Sequence, residues 1–386
     1  MYERFLSRDM TYSCGIFSSL DADITPSIDL QAASSLLNGH RSGRQNGIKT
    51  SPHSLSHDSG IGSPGSESDL STTTDELEEA QMRKLRLHIS RCGIAPGDRV
   101  LEIGTGWGSL AMETCRQVPN VTVESLTLSK EQKALAEARI REAGLQKQIR
   151  VHLMDYRDTP QDWTASFDRV VSIEMLEAVG IEFLTTYFSA IHRVLKPEIG
   201  TAAFQCITMP ECRFDAYVRG VDFIKKYIFP GGVLPSVSSL VNGMTEGSQG
   251  TMVLQSVDSI GPHYARTLRE WKRRFEASFE GEGGIRQALL RDHSAIRGLP
   301  DKQQEAEVEV FRRKWLYYFI YCERGFAENQ IGGEWAVGMG GHDAAGAGTR
   351  GGNDTLTPSR PWLADHILTF ARTGAPCRSQ PISYGM

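Results

Sequence analysis

Apolar positions along this chain follow two alternating rhythms. Val100-Leu101-Glu102-Ile103 reads as a short strand, Gly104 to Gly108 as a tight turn, and Ser109 to Gln117 as a helix. The pattern continues with a strand over Val121 to Leu126, a helix over Lys130 to Ala143, and strands over Ile149 to Leu153 and Phe167 to Ser172. A helix over Tyr187 to Leu195 and a strand over Thr201 to Ile207 complete it. Strands alternating with helices predict βαβ units, hence an α/β fold with a mostly parallel sheet and helices on both faces. Such a sheet binds its ligand at the carboxyl ends of its strands.

The flanks break this rhythm. Thr73-x-x-Glu76 reads as a capping box ahead of a helix with Leu77, Met82, Leu85 and Ile89 on one face, stopping at Gly93. Residues 18–74 are crowded with Ser, Gly, His, Thr and Asp and lack either period, so they are expected to form a disordered linker behind an N-terminal segment, 1–17. The main domain is expected over 75–326. Within it, residues 208–326, where Phe, Tyr and Trp recur among Lys and Arg, read as a mainly helical elaboration over the binding edge. Residues 327–360 are Gly-rich and aperiodic and read as an insertion. The tail, 361–386, contains Ile367-Leu368-Thr369-Phe370-Ala371, a β-prone run expected to be the last strand.

Composition narrows the function classes. Among 386 residues, 42 Lys and Arg stand against 47 Asp and Glu, a net charge of −5, so no global positive field exists to hold nucleic acid. With 40% hydrophobic residues the chain carries enough apolar material for a sizeable core. Its apolar runs fall short of the roughly 20 residues a spanning helix needs, and Met1-Tyr2-Glu3-Arg4 opens no secretory core. A cytoplasmic protein is expected, peripheral at a membrane surface if it meets lipid. Seven scattered cysteines, none in a CxxC pair, argue against a disulfide framework and a thiolate metal site.

Glu102-Ile103-Gly104-Thr105-Gly106-Trp107-Gly108 joins a strand end to a helix start. Glycines there let the backbone turn sharply and let a ligand approach without a Cβ in the way. The helix N-terminus offers free N–H groups. A dinucleotide site wants its third glycine one place later, where Ser109 stands, so the loop suits the pyrophosphate-free S-adenosylmethionine better. The acidic residue that usually holds ribose hydroxyls has its nearest candidate in Glu124, inside the strand, which leaves Gln132 for that role.

Seven strings, in order, carry a resemblance: Met10-Thr11-Tyr12-Ser13-Cys14, Val100 to Gly108, Leu126 to Gln132, Asp155-Tyr156-Arg157-Asp158, Ser172 to Gly180, Asp222 to Gly232, and His263 to Leu268. With them the chain resembles the cyclopropane-fatty-acyl-phospholipid synthase family, which includes the mycolic acid cyclopropane synthases. The resemblance implies a Rossmann-like class I methyltransferase sheet with a lipid-binding elaboration. It implies transfer of the methyl of S-adenosylmethionine to the cis double bond of an unsaturated phospholipid acyl chain, then proton loss and closure of a cyclopropane ring. Aromatic faces and exclusion of water suit a sulfonium donor and a carbocation.

The same resemblance assigns residues. A bound bicarbonate takes the proton, held by the Cys14 backbone, Glu177, Gln205 where the family has His, the Ile207 backbone and Tyr264. On the cofactor side it points to Tyr12 and Ser13, to Glu102, Gly104, Gly106, Trp107 and Gly108, and to Thr127, Ser129, Gln132, Asp155 and Tyr156. Residues 214–234 mix aromatics with Arg219, Lys225 and Lys226 and are expected to meet the acyl chain and membrane phosphates. Family members carry further sequence before the Met10 string, so the lid over the cofactor is expected to be short here. Methylation of a different lipid or small molecule, or cofactor binding without catalysis, are the alternatives.

Overall fold

A computed structural model describes residues 1–20, 75–339 and 368–372. The first helix, α1 (Glu76–Arg91), is capped by Asp75, whose carboxylate accepts from the N–H groups of Leu77 and Glu78 at 3.0 and 3.2 Å. Asp75 takes the place expected for Thr73, which lies outside the described residues, as do positions 21–74 of the expected linker. Residues 1–18 cluster with the described residues from 75 onward as one compact unit.

Five strands form the parallel part of the sheet: β1 (Arg99–Ile103), β2 (Thr122–Thr127), β3 (Ile149–Leu153), β4 (Arg169–Ile173) and β5 (Thr201–Thr208). Between them run α2 (Ser109–Gln117), α3 (Lys130–Glu142) and α4 (Leu184–Val194). The spatial order is β3-β2-β1-β4-β5-β7-β6-β8, where β6 is Met252–Ser259, β7 is Gly332–Met339 and β8 is Leu368–Arg372. β7 runs antiparallel between β5 and β6. This is the Rossmann-like class I methyltransferase arrangement expected from the sequence.

Both sheet faces are covered, which is why the parallel strands read as nearly continuous apolar runs. Alternate residues of β1 part between two cores. Leu101 and Ile103 join Phe167, Tyr187, Phe188 and Phe204, whereas Val100 joins Leu85, Leu110, Val123 and Ile140. Each such side chain contributes about 1.5–3 kcal/mol when fully buried.

The elaboration carries helices α5 (Glu211–Arg219), α6 (Phe223–Tyr227), α7 (Val237–Gly247), α8 (Gly261–Ala277), α9 (Ile285–Asp292), α10 (Ser294–Arg297) and α11 (Asp301–Ala327). A third core fills the space between α8, α11 and the N-terminal segment: Phe5, Cys14, Trp271, Phe275, Phe319 and Phe326.

Two differences from the sequence reading concern strands. β6 lies inside the stretch expected to be helical, and β7 occupies part of the 327–360 stretch expected to be an aperiodic insertion. Because β7 pairs on both sides, its hydrogen bonds are supplied by two neighbours, and that overrides the weak strand propensity of its glycines. Gly333 has a second role. Its backbone passes Gly261 so closely that a Cβ on it would come within 3.4 Å of the Gly261 nitrogen, and its carbonyl accepts from the Ile260 N–H at 2.7 Å. Positions 340–360 lie outside the described residues, whereas the β-prone run at 367–371 does supply β8.

Candidate active site

Because the five parallel strands run the same way, the loops leaving their carboxyl ends share one edge. β1 delivers the glycine bend there, β2 delivers Ser129, β3 delivers Asp155, β4 delivers Glu174 and Glu177, and β5 ends with Gln205 and Ile207.

The bend is left-handed three times, at Gly104 (φ 105°), Gly106 (51°) and Gly108 (85°). At Gly104 a Cβ would meet the Met175 side chain at 3.6 Å, so the bend adjoins the loop after β4. At Gly106 it would meet nothing within 4 Å, leaving a bare backbone concavity ahead of the first turn of α2. A small ligand with a carboxylate and an adenosyl group fits that cradle.

The N-terminal segment lies across this loop. The Tyr2 ring packs on Trp107 at 5.3 Å and on Tyr12 at 5.1 Å. Arg139 donates to the carbonyls of Trp107 and Asp9, at 2.6 and 2.9 Å, tying loop and segment together.

The sequence-assigned cofactor residues divide into groups. Glu102 is buried, accepts from the Ser125 hydroxyl, and has its carboxyl pushed up to about 8 by burial. Thr127 donates to Gln132 at 2.8 Å, and Ser129 caps α3 by accepting from the Gln132 N–H. Asp155 is tied to Arg157 at 2.7 Å, with its carboxyl held low chiefly by that bond, and Tyr156 packs edge-on against Tyr187. Glu124 is occupied inside the sheet by His152 at 2.7 Å and Arg99 at 3.3 Å, as its place within the strand anticipated. Ser13 is buried against α1, its hydroxyl accepting from Lys84 and its carbonyl from Gln81, both at 2.7 Å. Tyr12 stacks at a tilt on Trp271 at 4.9 Å, and its hydroxyl lies 3.1 Å from that of Tyr318.

The residues assigned to bicarbonate are brought close together, but around a side chain that the assignment omitted. Glu174 Oε1 accepts from the Cys14 backbone N–H at 2.9 Å and from Gln205 Nε2 at 2.8 Å; its Oε2 accepts from the Tyr264 hydroxyl at 2.7 Å. Glu177, assigned to that group, sits apart from these three donors: its Oε1 accepts from the Ile207 N–H at 2.5 Å, and its buried Oε2 has no hydrogen-bond partner. Bicarbonate therefore does not fit the site as assigned, because its donors are already held by Glu174 and Glu177.

The local fold explains Glu174. Its backbone is left-handed (φ 48°) and its N–H donates to the Gln205 carbonyl at 2.6 Å, which turns the chain at the end of β4. Cys14 is positioned from two sides: Gly15 donates to the Thr267 hydroxyl at 3.0 Å, and a Cβ on Gly15 would come within 3.1 Å of that of Ala80. The Cys14 thiol itself is buried and pushed well up by desolvation.

Behind Gln205 lies buried His88, Nε2 to Oε1 at 2.9 Å. Since the Gln205 amide nitrogen faces a carboxylate, its oxygen must accept, so His88 donates. Burial holds His88 neutral, well below its ordinary pKa. Buried Lys84 adds a cation acting on Glu174, and its own pKa is lowered to about 8 by desolvation.

Both carboxyls are raised by burial; Glu177 reaches about 8, with the neighbouring Glu174 adding to the effect. Glu174 has three donors and a nearby cation while Glu177 has one donor, so the negative charge of the pair belongs on Glu174. Glu174, Lys84 and His88 were missed by sequence reasoning. The signal for Glu174 lay in the Ser172 to Gly180 string, as a carboxylate ending an apolar strand.

Both carboxylates and Tyr264 line a cavity of about 1370 Å³ walled largely by Tyr12, Ile228, Tyr318 and Phe326. Tyr264 stacks on Phe326 with ring centroids 4.4 Å apart. The cavity exceeds the roughly 300–1,000 Å³ of usual small-ligand sites.

Residues 70–288, more than half of the chain, match the family model of mycolic acid cyclopropane synthetase, and the chain belongs to that family. The tuberculostearic acid methyltransferase UfaA1 of Mycobacterium tuberculosis is 33% identical over 331 residues, covering 86% of this chain and 60% of that protein. The cyclopropane-fatty-acyl-phospholipid synthase of Escherichia coli is 37% identical over 257 residues, 67% of this chain and 57% of that protein. The chain thus spans about three fifths of the length of these relatives. Among solved structures, the cyclopropane synthase MmaA2 from Mycobacterium tuberculosis aligns with a TM-score of 0.58 at 23% identity, over 87% of this chain and 92% of that one, a likeness of fold.

Proposed function

From that family membership we propose that the chain is an S-adenosylmethionine-dependent methyltransferase acting on the double bond of an unsaturated phospholipid acyl chain. The observation that carries this reading is the large aromatic cavity lined by Glu174, Glu177 and Tyr264, at the strand-end edge that also carries the glycine bend. S-adenosylmethionine supplies an electrophilic methyl group when bound. The bare concavity at Gly106 and the N–H groups opening α2 are the chain's means of holding it, with Gln132 the candidate for its ribose and Asp155 and Tyr156 for its adenine. Apolar walls hold an alkyl chain and exclude water, which would trap a carbocation as an alcohol. Tyr12, Tyr264 and Phe326 offer aromatic faces to positive charge.

A phospholipid substrate implies contact with a lipid surface. Near the cavity mouth Val221, Tyr227, Phe229 and Ile320 are exposed, beside Lys225 and Lys226. This mixture suits insertion of apolar tips among headgroups with cations meeting phosphates. Among the described residues no helix is long and apolar enough to cross a membrane.

Proton loss from the transferred methyl with bond closure to the cationic carbon gives a cyclopropane; a 1,2-hydride shift to the cationic carbon followed by proton loss from the same methyl gives a methylene branch. The second product, a methylated and not a ring-closed chain, is in keeping with UfaA1, which aligns over most of this chain and is named a methyltransferase. Mass spectrometry of lipids from cells expressing the chain distinguishes them. Either product adds one CH2 to monounsaturated acyl groups; a ring removes the unsaturation and a methylene branch keeps it. Absence of any such species would overturn the proposal.

A further inference from the structure

We propose that the Glu174 carboxylate is this chain's built-in base, standing where a bicarbonate ion would otherwise be held, so that the reaction runs without bicarbonate. The inference rests on the alkylation reading above and names the group that completes it.

A carboxylate and a bicarbonate share a planar, singly charged O–C–O group and accept the same hydrogen bonds. Three donors converge on Glu174: a backbone N–H, an amide N–H and a phenol O–H, at 2.7–2.9 Å. The remaining two groups assigned to bicarbonate, Glu177 and the Ile207 N–H, are bonded to one another. A bicarbonate ion would have to break bonds to a carboxylate of its own charge in order to enter, an arrangement that like-charge repulsion opposes.

The geometry also identifies the reactive atom. Oε1 accepts two hydrogen bonds and is filled. Oε2 accepts one, from Tyr264, and retains a lone pair, while Glu174 and Tyr264 both line the cavity. The Tyr264 phenol is pushed well above its ordinary pKa by burial and by Glu174, so it stays a donor. The methyl carbon leaves the sulfonium sulfur, which keeps the bonding pair, and the alkene π pair forms the new C–C bond. A C–H bond of the transferred methyl then breaks, either directly or after a 1,2-hydride shift has moved the cation to the methyl-bearing carbon. In the first case its electron pair bonds the methyl carbon to the cationic carbon and closes the ring, in the second it forms the methylene double bond, and in both the proton passes to Glu174 Oε2. Charge balances, and no oxidant or reductant is needed.

The test combines an activity and a binding readout, using vesicles of dioleoyl phosphatidylglycerol with S-adenosylmethionine in buffers purged of carbon dioxide. Wild-type turnover is expected to be the same with and without added bicarbonate. Glu174→Gln, which keeps the volume but cannot take the proton, is expected to lose about 100-fold or more in kcat with little change in KM, and bicarbonate should not rescue it. Glu174→Gly, which opens the cradle, is expected to regain activity on adding bicarbonate. Titration with carbon-13 bicarbonate followed by NMR should show saturable binding to Glu174→Gly and none to the wild type.

Stimulation of the wild type by bicarbonate, saturable bicarbonate binding to it, or an unimpaired Glu174→Gln would each overturn the proposal. A wild type inactive in every buffer, with S-adenosylmethionine binding intact by calorimetry, would overturn the alkylation reading and the base role together. The NMR titration would still report whether Glu174 fills the anion position.

Discussion

The glycine bend after β1 and the carboxylate cage after β4 sit on the same edge of one sheet, yet they are assembled differently. Five consecutive residues, Gly104 to Gly108, make the bend, and its shape follows from their own backbone freedom. The cage takes one group each from Cys14, Glu174, Gln205 and Tyr264, with 160 positions between Cys14 and Glu174 and 90 between Glu174 and Tyr264. A locally encoded site tolerates change elsewhere in the fold. A site gathered from distant segments depends on α1, α8 and the N-terminal segment packing in register.

The sharpest way to break the contrast is at the bend. Gly106→Val places a β-branched residue in the left-handed region and fills the open concavity, and is expected to weaken S-adenosylmethionine binding by about 100-fold or more, read by calorimetry. The cage should stay intact in that variant, so its thermal stability is expected to fall far less than its affinity.

Glu177→Gln probes the other half with a smaller effect. Since Glu177 keeps its proton at neutral pH, the amide should reduce turnover by less than about tenfold, well short of the Glu174→Gln loss. Its clearest signature is in stability. The folded pKa of about 8 lies above the unfolded one, so between the two the folded state holds more protons and wild-type stability falls as pH rises. The stabilising contribution is fully present below the unfolded pKa of about 4.3 and is lost as pH climbs through the folded value. The melting temperature of Glu177→Gln relative to wild type should therefore climb steadily from pH about 5 to about 8. A flat difference would show that Glu177 ionises freely in the fold.

The smallest effect is expected at the surface that joins the N-terminal segment to α1. Arg8 pairs with Glu78 at 3.1 Å but is 89% exposed, so Arg8→Ala should change stability by less than about 1 kcal/mol in chemical denaturation. A larger loss would mean that the cage is held by surface charge and not by the buried bonds of Ser13, Cys14 and Gly15.

Much of the fold was legible in the sequence because periodicity is a local property. The helix at Ser109–Gln117 and the strand at Ile149–Leu153 were bounded as observed, since each buries one stripe or face against an existing layer. β7 was not legible, since Gly332 and Gly333 are weak strand formers whose pairing comes from neighbours far away in sequence, and β6 pairs with that same distant strand. The site divided along the same line. Cys14 and Tyr264 could be named from their strings and Gln205 from the position where the family has His, while Glu174 stood unremarked three places before Glu177 in one string.

By itself the sequence determined where the chain would bend, which segments would be helix or strand, and that donors suited to an anion were present. Those properties follow from backbone freedom and from the spacing of apolar residues, which act over a few positions. Which anion those donors would meet was decided only in three dimensions. The left-handed turn at the end of β4 aims Glu174 inward, and folding brings three remote segments to within hydrogen-bond distance of its carboxylate. A buried charge must find its donors wherever packing has placed them, and no local pattern records that choice.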